Sequence, residues 1–382
     1  MMNSVFAKVI YTGTKVISDA YIVFNQQKIS SISTSKKGKL VGKFAVITPA
    51  FIDAHSHIGM ARAGEPSEQS EANDQSESIL AIADALDSVQ MDDSALTDAI
   101  EMGVLYSCVV PGSGNIIGGK SAVIRNYALT STRALFARAG LKSAFGFNPM
   151  KNKSWKGKRP SSRMGALAIL RGKLDEVQQK VKKFRNAKGS KKQDITFSAE
   201  EVVLREVLER RTPLRAHVHK IDDIATLLRL VDDFKIKVIV DHALDVHQGQ
   251  IFRELKRRKI PVVYGPVDAF AYKVELKHES WRNIRHLIDS EVEFGLMTDH
   301  PVTLARQLLM QTRWFLRAGL SKQEAIELIS RKNARILGID DRIGTLEKGK
   351  WASFSCWNGD PFDLASYPVA VYGEGKLRFS DM

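Results

Sequence analysis

The sequence predicts an α/β protein: a (β/α)8, TIM-like barrel with a small β-sandwich domain formed by both chain termini. Three observations carry this expectation. Strand-like apolar runs alternate with helical patterns through the middle of the chain, which indicates a parallel sheet. Eight such runs occur between residues 45 and 299, the number that closes a barrel. The two ends share a different texture, of short strands and glycine turns.

The N-terminal strands are "VFAKVIYTG", "AYIVFN" and "KISSIST", separated by polar turns. "WASFSCWN" and "PVAVYGEGKLRF" answer them at the other end. The expected domains are therefore 1–47 with 340–382, and a barrel over 48–339. Its runs are 45–57, 104–110, 121–126, 142–148, 214–219, 237–242, 261–265 and 294–299. Between them, "ESILAIADALDSV" (77–89) and "DDIATLLRLVDDF" (222–234) place apolar residues at i, i+3 and i+4 and predict amphipathic helices. "SKQEAIELISRKNARILG" opens with a capping-box pattern, Ser321 to Glu324. Residues 171–193 read as a polar insertion, a long helix plus a loop.

Composition narrows the function classes. The chain has 382 residues, 44% of them hydrophobic, enough for a sizeable core. Two cysteines cannot build a disulfide framework. No apolar run is long enough to span a membrane, and the first residues lack the pattern of a signal peptide; a cytoplasmic protein is expected. The net charge of +14 invites a nucleic-acid reading, yet residues 151–193 alone hold 15 Lys and Arg against Asp175 and Glu176. With Trp155 and Phe184 as the only aromatics there, no nucleic-acid module emerges. A small-molecule substrate is the expected partner, and self-association is left open.

The chemistry gathers at strand ends. His55 and His57 stand two apart, so strand alternation puts them on one face, and His217 and His219 repeat the arrangement. His242 and Asp299 end two further runs, with His300 next. The C-terminal ends of barrel strands converge on one mouth, where barrel enzymes keep their sites. Imidazole and carboxylate donors suit zinc and similar divalent ions. His247, His278 and His286 do not share that placement and read as ordinary surface or helix residues. "GNIIGGKS" (114–121) has phosphate-loop spacing, and "VIVDH" (238–242) imitates the strand that completes such a site. A phosphate loop needs a helix to receive the anion, whereas "AVIRNYA" after Ser121 reads as a strand, so the match is taken as chance.

"TPAFIDAHSHIG" resembles the first-strand signature of the amidohydrolase superfamily, Pro-Gly-hydrophobic-Ile-Asp-x-His-x-His, with Ala50 at the usual glycine. The resemblance continues in order through "LRAHVHKIDDI", "VIVDHALD", "GLMTDHPV" and "NARILGIDDRIGTLEKGKWASF". The loop Pro111-Gly112-Ser113-Gly114-Asn115, followed by Gly118-Gly119, is similar to that of the imidazolonepropionase-related branch.

The resemblance implies a metal-dependent hydrolase of non-peptide C–N bonds. Its metal ligands would be His55, His57, His217, His242 and Asp299, with Asp299 also the proton shuttle. His219 would polarise the carbonyl, and His219, His300 and Asn115 would contact substrate. Two-metal members place a bridging Glu or carbamylated Lys at the end of the fourth strand. Here Phe147 stands where that acid is expected, and Lys142 falls at the wrong end of the expected strand. One divalent ion, zinc first, is therefore expected, and a catalytically degenerate metal-binding relative is the rival reading. Arg62, Arg159, Arg163 and Lys220 are candidates to hold an anionic substrate group and are equally ordinary surface charges.

Overall fold

The computed structural model describes residues 2–150, 159–269 and 273–381. Residues 151–158, which include Trp155 and part of the basic segment, lie outside them. The chain opens with β1 (Met2–Tyr11), β2 (Val16–Asn25), β3 (Lys28–Ser33) and β4 (Lys39–Pro49). The central strands follow: β5 (Phe51–Ser56), β6 (Val104–Val109), β7 (Ile117–Arg125), β8 (Leu135–Ala144), β9 (Leu214–Val218), β10 (Val238–His242), β11 (Val262–Tyr264) and β12 (Phe294–Leu296). The last strands are β13 (Phe354–Trp357), β14 (Pro368–Gly373) and β15 (Lys376–Ser380).

β5 to β12 form one eight-stranded sheet in sequence order that curls into a nearly closed barrel. The seam between β12 and β5 is held by a side chain. The Asn333 amide donates to the Ile52 carbonyl at 2.6 Å and to the Leu296 carbonyl at 2.8 Å. Gly295 makes room for it, since a Cβ there would meet Asn333 Oδ1 at 1.9 Å. Above the seam, the Asp299 N–H donates to the His55 carbonyl at 3.0 Å. Two chain-distant site residues are thus joined through backbone.

The barrel departs from the all-parallel expectation at one strand. β7 runs antiparallel to both β6 and β8, so a hairpin replaces one β/α unit. "SAVIRN" is buried along most of its length, and burial on both faces leaves strand direction unencoded in hydrophobicity. A second correction concerns residues 77–89, expected to be helical. Only Ala85–Asp87 forms a short 3-10 turn, capped by the Asp84 side chain. Ile79 and Asp84 make single bridges to Ile117 and Lys120. The backbone groups of this segment find partners on β7, and Ala81, Ala85 and Val89 are buried without a helix. The same β7 disposes of the phosphate-loop spacing, because Lys120 and Ser121 lie inside a strand.

The helix Arg163–Asn186 takes up most of the predicted insertion, 171–193, and starts before it. It buries Ala166, Leu170, Leu174, Val177 and Val181 along one stripe, the spacing of an amphipathic helix. Its cations have nearby acids: Arg163 with Asp223, Arg171 with Asp233, Lys173 with Glu200, Lys180 with Glu201 and Arg185 with Glu209. Five of the 15 basic residues of 151–193 are thus paired with acids on or beside the neighbouring helices. The capping box at Ser321 and Glu324 forms as predicted. Among the described residues, no helix is long and apolar enough to cross a membrane.

The remaining seven strands make one sheet in the order β15-β14-β13-β4-β1-β2-β3. Both ends of the chain contribute: β4 lies parallel to β1 on one side and antiparallel to β13 on the other. A bridge between Lys28 and Trp351 ties the region of β3 to the segment before β13. Inside, the rings of Phe24, Phe354 and Tyr372 meet at centroid distances of 4.9 to 5.9 Å.

Candidate active site

Short strands ending at one rim bring the predicted histidines together. The rings of His55 and His242 lie 5.0 Å apart, those of His217 and His242 4.4 Å, and those of His219 and His242 4.8 Å. His57 packs edge-on against His55 at 5.4 Å. Five imidazoles from three strands and their C-terminal extensions thus form one cluster. Two of the residues that close it hold left-handed backbone, His242 with φ 79° and Asp299 with φ 50°. Such non-glycine conformations cost energy and gather at functional sites.

Hydrogen bonds at Nδ1 set the tautomers. His57 Nδ1 lies 2.8 Å from the Val110 carbonyl and His242 Nδ1 3.0 Å from the Gly265 carbonyl. His55 Nδ1 lies 3.0 Å from an oxygen of Asp241. A carbonyl or carboxylate only accepts, so each Nδ1 carries the hydrogen, and Nε2 is the atom each ring turns toward the mouth. This is how proteins prepare histidines for a metal. Asp299 Oδ1 then sits 3.1 Å from His57 Nε2 and 3.4 Å from His55 Nε2.

That contact sets acceptor against acceptor unless a cation, a proton or a metal ion, lies between. His242 Nε2 and both nitrogens of His219 are buried without a hydrogen-bond partner. Burial pushes the His217 and His242 rings well below the usual histidine range and His219 down to about 4. The rings are therefore uncharged and can donate lone pairs. Burial works to raise Asp299, but the neighbouring imidazoles of His242, His55 and His57 outweigh it and hold the carboxyl well below its usual range. Donor atoms of His55, His57 and Asp299 lie within 4.8 Å of one another, as do those of His217, His219 and His242. The residues fit a divalent cation.

Lys142 corrects the sequence reading. The strand expected over 142–148 in fact runs from Leu135 to Ala144. Lys142 therefore lies near its C-terminal end, not at its start. The side chain is buried, and Nζ stands 3.3 Å from His55 Nε2. Burial outweighs the attraction of Asp241 and Asp299 and lowers the amine to about 8. Phe147, where an acid was expected, is partly exposed, and its N–H donates to Glu275 Oε1 at 2.5 Å. Glu275 is itself buried, its other oxygen 3.7 Å from His217 Nε2.

Beneath the imidazoles lies a second group of residues the sequence reading missed. Asp241, read only as part of an apolar strand, is fully buried between His55 and Arg215. Arg215 Nη2 donates to Asp241 Oδ1 and to the Ala54 carbonyl, both at 2.8 Å. Burial would raise Asp241, but Arg215 and His55 reverse the effect and keep it ionised.

A cavity of about 440 Å³ opens above the cluster, lined among others by His57, Arg62, Lys142, His217, Asp299 and His300. His300 is buried, its Nδ1 accepting the Ala305 N–H at 3.3 Å. Asn115 does not line this cavity. Its amide donates to the Asp74 and Glu77 carbonyls at 2.9 and 2.6 Å and props the 74–77 segment instead. Arg62 is engaged by Glu65 at 2.7 Å, and Arg163 is taken by Asp223.

Histidines on or just after the first, fifth and sixth barrel strands, β5, β9 and β10, thus meet an aspartate that follows the last, β12. The amidohydrolase family model matches residues 46–377. The chain belongs to the amidohydrolase family. It is similar to the amidohydrolase tasK of Hapsidospora irregularis, 23% identical over 359 residues, which is 88% of this chain and 36% of that protein. The chain thus spans about a third of that curated relative's length. Among solved structures it resembles an amidohydrolase from Thermotoga maritima, with a TM-score of 0.91, 29% identity, and 99% and 100% of the two chains covered. The fold is shared more distantly with a prolidase bound to N-methylphosphonate-L-proline, with a TM-score of 0.64, 14% identity and 99% of each chain covered. It is also shared with a zinc-bound adenosine deaminase from Xanthomonas campestris, with a TM-score of 0.57, 15% identity, and 100% and 94% covered. This amidohydrolase thus carries the fold of a hydrolase family together with a histidine, lysine and aspartate cluster at its mouth.

Proposed function

We propose that this amidohydrolase hydrolyses a non-peptide C–N bond of a small amide, cyclic amides included, with zinc as the resident ion. The loop from Pro111 to Gly119, similar to that of the imidazolonepropionase-related branch, supports a reading near that branch. Catalysis belongs to the barrel, residues 48–339, with 1–47 and 340–382 as its support. The observation that carries the reading is Asp299 Oδ1 facing the lone pairs of His57 and His55 in a buried pocket.

His55, His57 and Asp299 would hold one cation, and His217 and His242 a second. The expectation of a single ion rested on the lack of a bridging residue near Phe147, and the position of Lys142 removes that ground. We therefore set the capacity at two, and Lys142, were its neutral amine to add CO2 and release a proton, would supply a further carboxylate ligand beside His55. When bound, a divalent ion supplies Lewis-acid polarisation and makes water a usable nucleophile near neutral pH.

The side chains do the rest. Ionised Asp299 accepts the proton of the attacking water as the C–O bond forms. It returns that proton to the leaving nitrogen as the C–N bond breaks. Neutral His219 offers an N–H to the developing oxyanion. Asp241 keeps the His55 ring in register, and His300 walls the cavity on the substrate side. A cavity of about 440 Å³ suits a small ligand.

The test is elemental analysis of protein purified without chelators, alongside a library of linear and cyclic amides with Xaa-Pro dipeptides as the peptide control. Zinc in the wild type and its loss from His55→Ala, with turnover of a non-peptide amide, is the expected result. Dipeptide cleavage alone would overturn the bond class. Bound zinc without any turnover would favour the degenerate relative.

A further inference from the structure

We propose that Asp245, His247 and His278 form a separate metal site on the rim, selective for zinc-like transition ions. Asp245 and His247 follow β10, and His278 lies between β11 and β12. One residue, Asp245, arranges both histidines. Its backbone carbonyl lies 3.0 Å from His247 Nδ1. Its carboxylate accepts the His278 N–H at 2.5 Å and lies 3.3 Å from His278 Nδ1.

The Asp245 carbonyl only accepts, so His247 Nδ1 carries hydrogen and leaves His247 Nε2 bare, while His278 Nδ1 stands beside the Asp245 carboxylate at the spacing of two donors to one ion. Among the described residues, neither Nε2 has a hydrogen-bond partner. The rings lie 4.1 Å apart at an interplanar angle of 39°. One donor atom from each of the three residues lies within 4.8 Å of the others. The His247 ring repeats, outside the central cavity, the preparation seen at His57 and His242.

Two imidazoles and a carboxylate select zinc, nickel or copper over magnesium or calcium. His278 is partly exposed, so solvent would have access to a bound ion. The consequence is mechanical. The loop leaving β10, which begins at His242, becomes fastened to the segment that carries Glu275, the neighbour of His217. Asn283 already links the two, donating to the Leu244 and His278 carbonyls at 3.2 and 2.8 Å. The metal strengthens an existing seam.

The experiment compares zinc stoichiometry and affinity in the full chain, wild type against His247→Gln/His278→Gln, by competition with a chromophoric chelator. The double variant is expected to bind one zinc fewer per chain, with unchanged turnover and an unchanged melting temperature in the absence of added metal. His278→Gln alone should weaken that one site about tenfold or more and serves as the check should the double variant fail to fold. Equal stoichiometry and affinity in wild type and variants would overturn the proposal. His55→Ala separates the two sites. It should lose central zinc and keep the rim zinc, so failure of the catalytic reading and failure of this one give different results.

Discussion

The barrel mouth and the terminal sheet spend buried volume in opposite ways. The terminal sheet packs Phe24, Phe354 and Tyr372 with Val5, Ile10, Ile22 and Ile47 into an apolar interior. The mouth buries His55, His217, His219, His242, Asp299, His300 and Lys142 within a few side-chain lengths. Several of their polar atoms have no partner among the described residues. Burying unpaired polar groups costs stability, and a fold tolerates that cost where the groups perform chemistry.

Substitutions can break this contrast, the largest effect first. Asp299→Asn should keep the fold and lower turnover by about 10²–10⁴-fold, because an amide cannot take the water's proton. Steady-state kinetics with circular dichroism checks it, and full activity would remove the shuttle. Next is Asp241→Asn, which leaves buried Arg215 without its counter-charge and should cost about 3–5 kcal/mol. It should also weaken zinc binding about 10–100-fold by freeing the His55 ring. Denaturation and chelator competition measure the two parts separately.

Phe354→Ala provides the opposite control. It should cost about 3–5 kcal/mol of stability while the folded fraction keeps wild-type turnover. A changed rate would mean that the terminal sheet shapes the site.

The last substitution sharpens the contrast most. Lys142 has its amine lowered by burial to about 8, against 10.5 in the free side chain. Below pH 8 the metal-free fold must hold a buried ammonium, and this penalty fades as pH rises from 8 toward 10.5. Lys142→Met should therefore stabilise the metal-free protein at pH 7 by about 3 kcal/mol and lose turnover. The stability gap between the two proteins should close above pH 8. A gap that persists to pH 10.5 would assign the gain to packing.

The histidines were legible from sequence because a two-residue strand period and a strand end are both visible in the letters. His55, His57, His217, His242 and Asp299 meet as that pattern predicts. Lys142 was hidden because its place depends on where β8 begins. That start is set by a hairpin with β7 whose direction hydrophobicity does not encode. A lone lysine in the apolar run "GLKSAF" was the available signal. Asp241 was hidden differently: its partner Arg215 is 26 residues away, and only the parallel pairing of β9 with β10 brings them together. Residues 77–89 show the reverse failure. Helical spacing was present, and long-range bridges to β7 overrode it.

The position of β4 between β1 and β13 has a consequence for biosynthesis. A ribosome makes β4 before the whole barrel and makes β13 after it. Throughout that interval one edge of β4 offers unpaired N–H and C=O groups to any passing strand. The nascent chain is therefore most vulnerable to aggregation while its barrel is being completed, and release of the C-terminal segment ends that exposure.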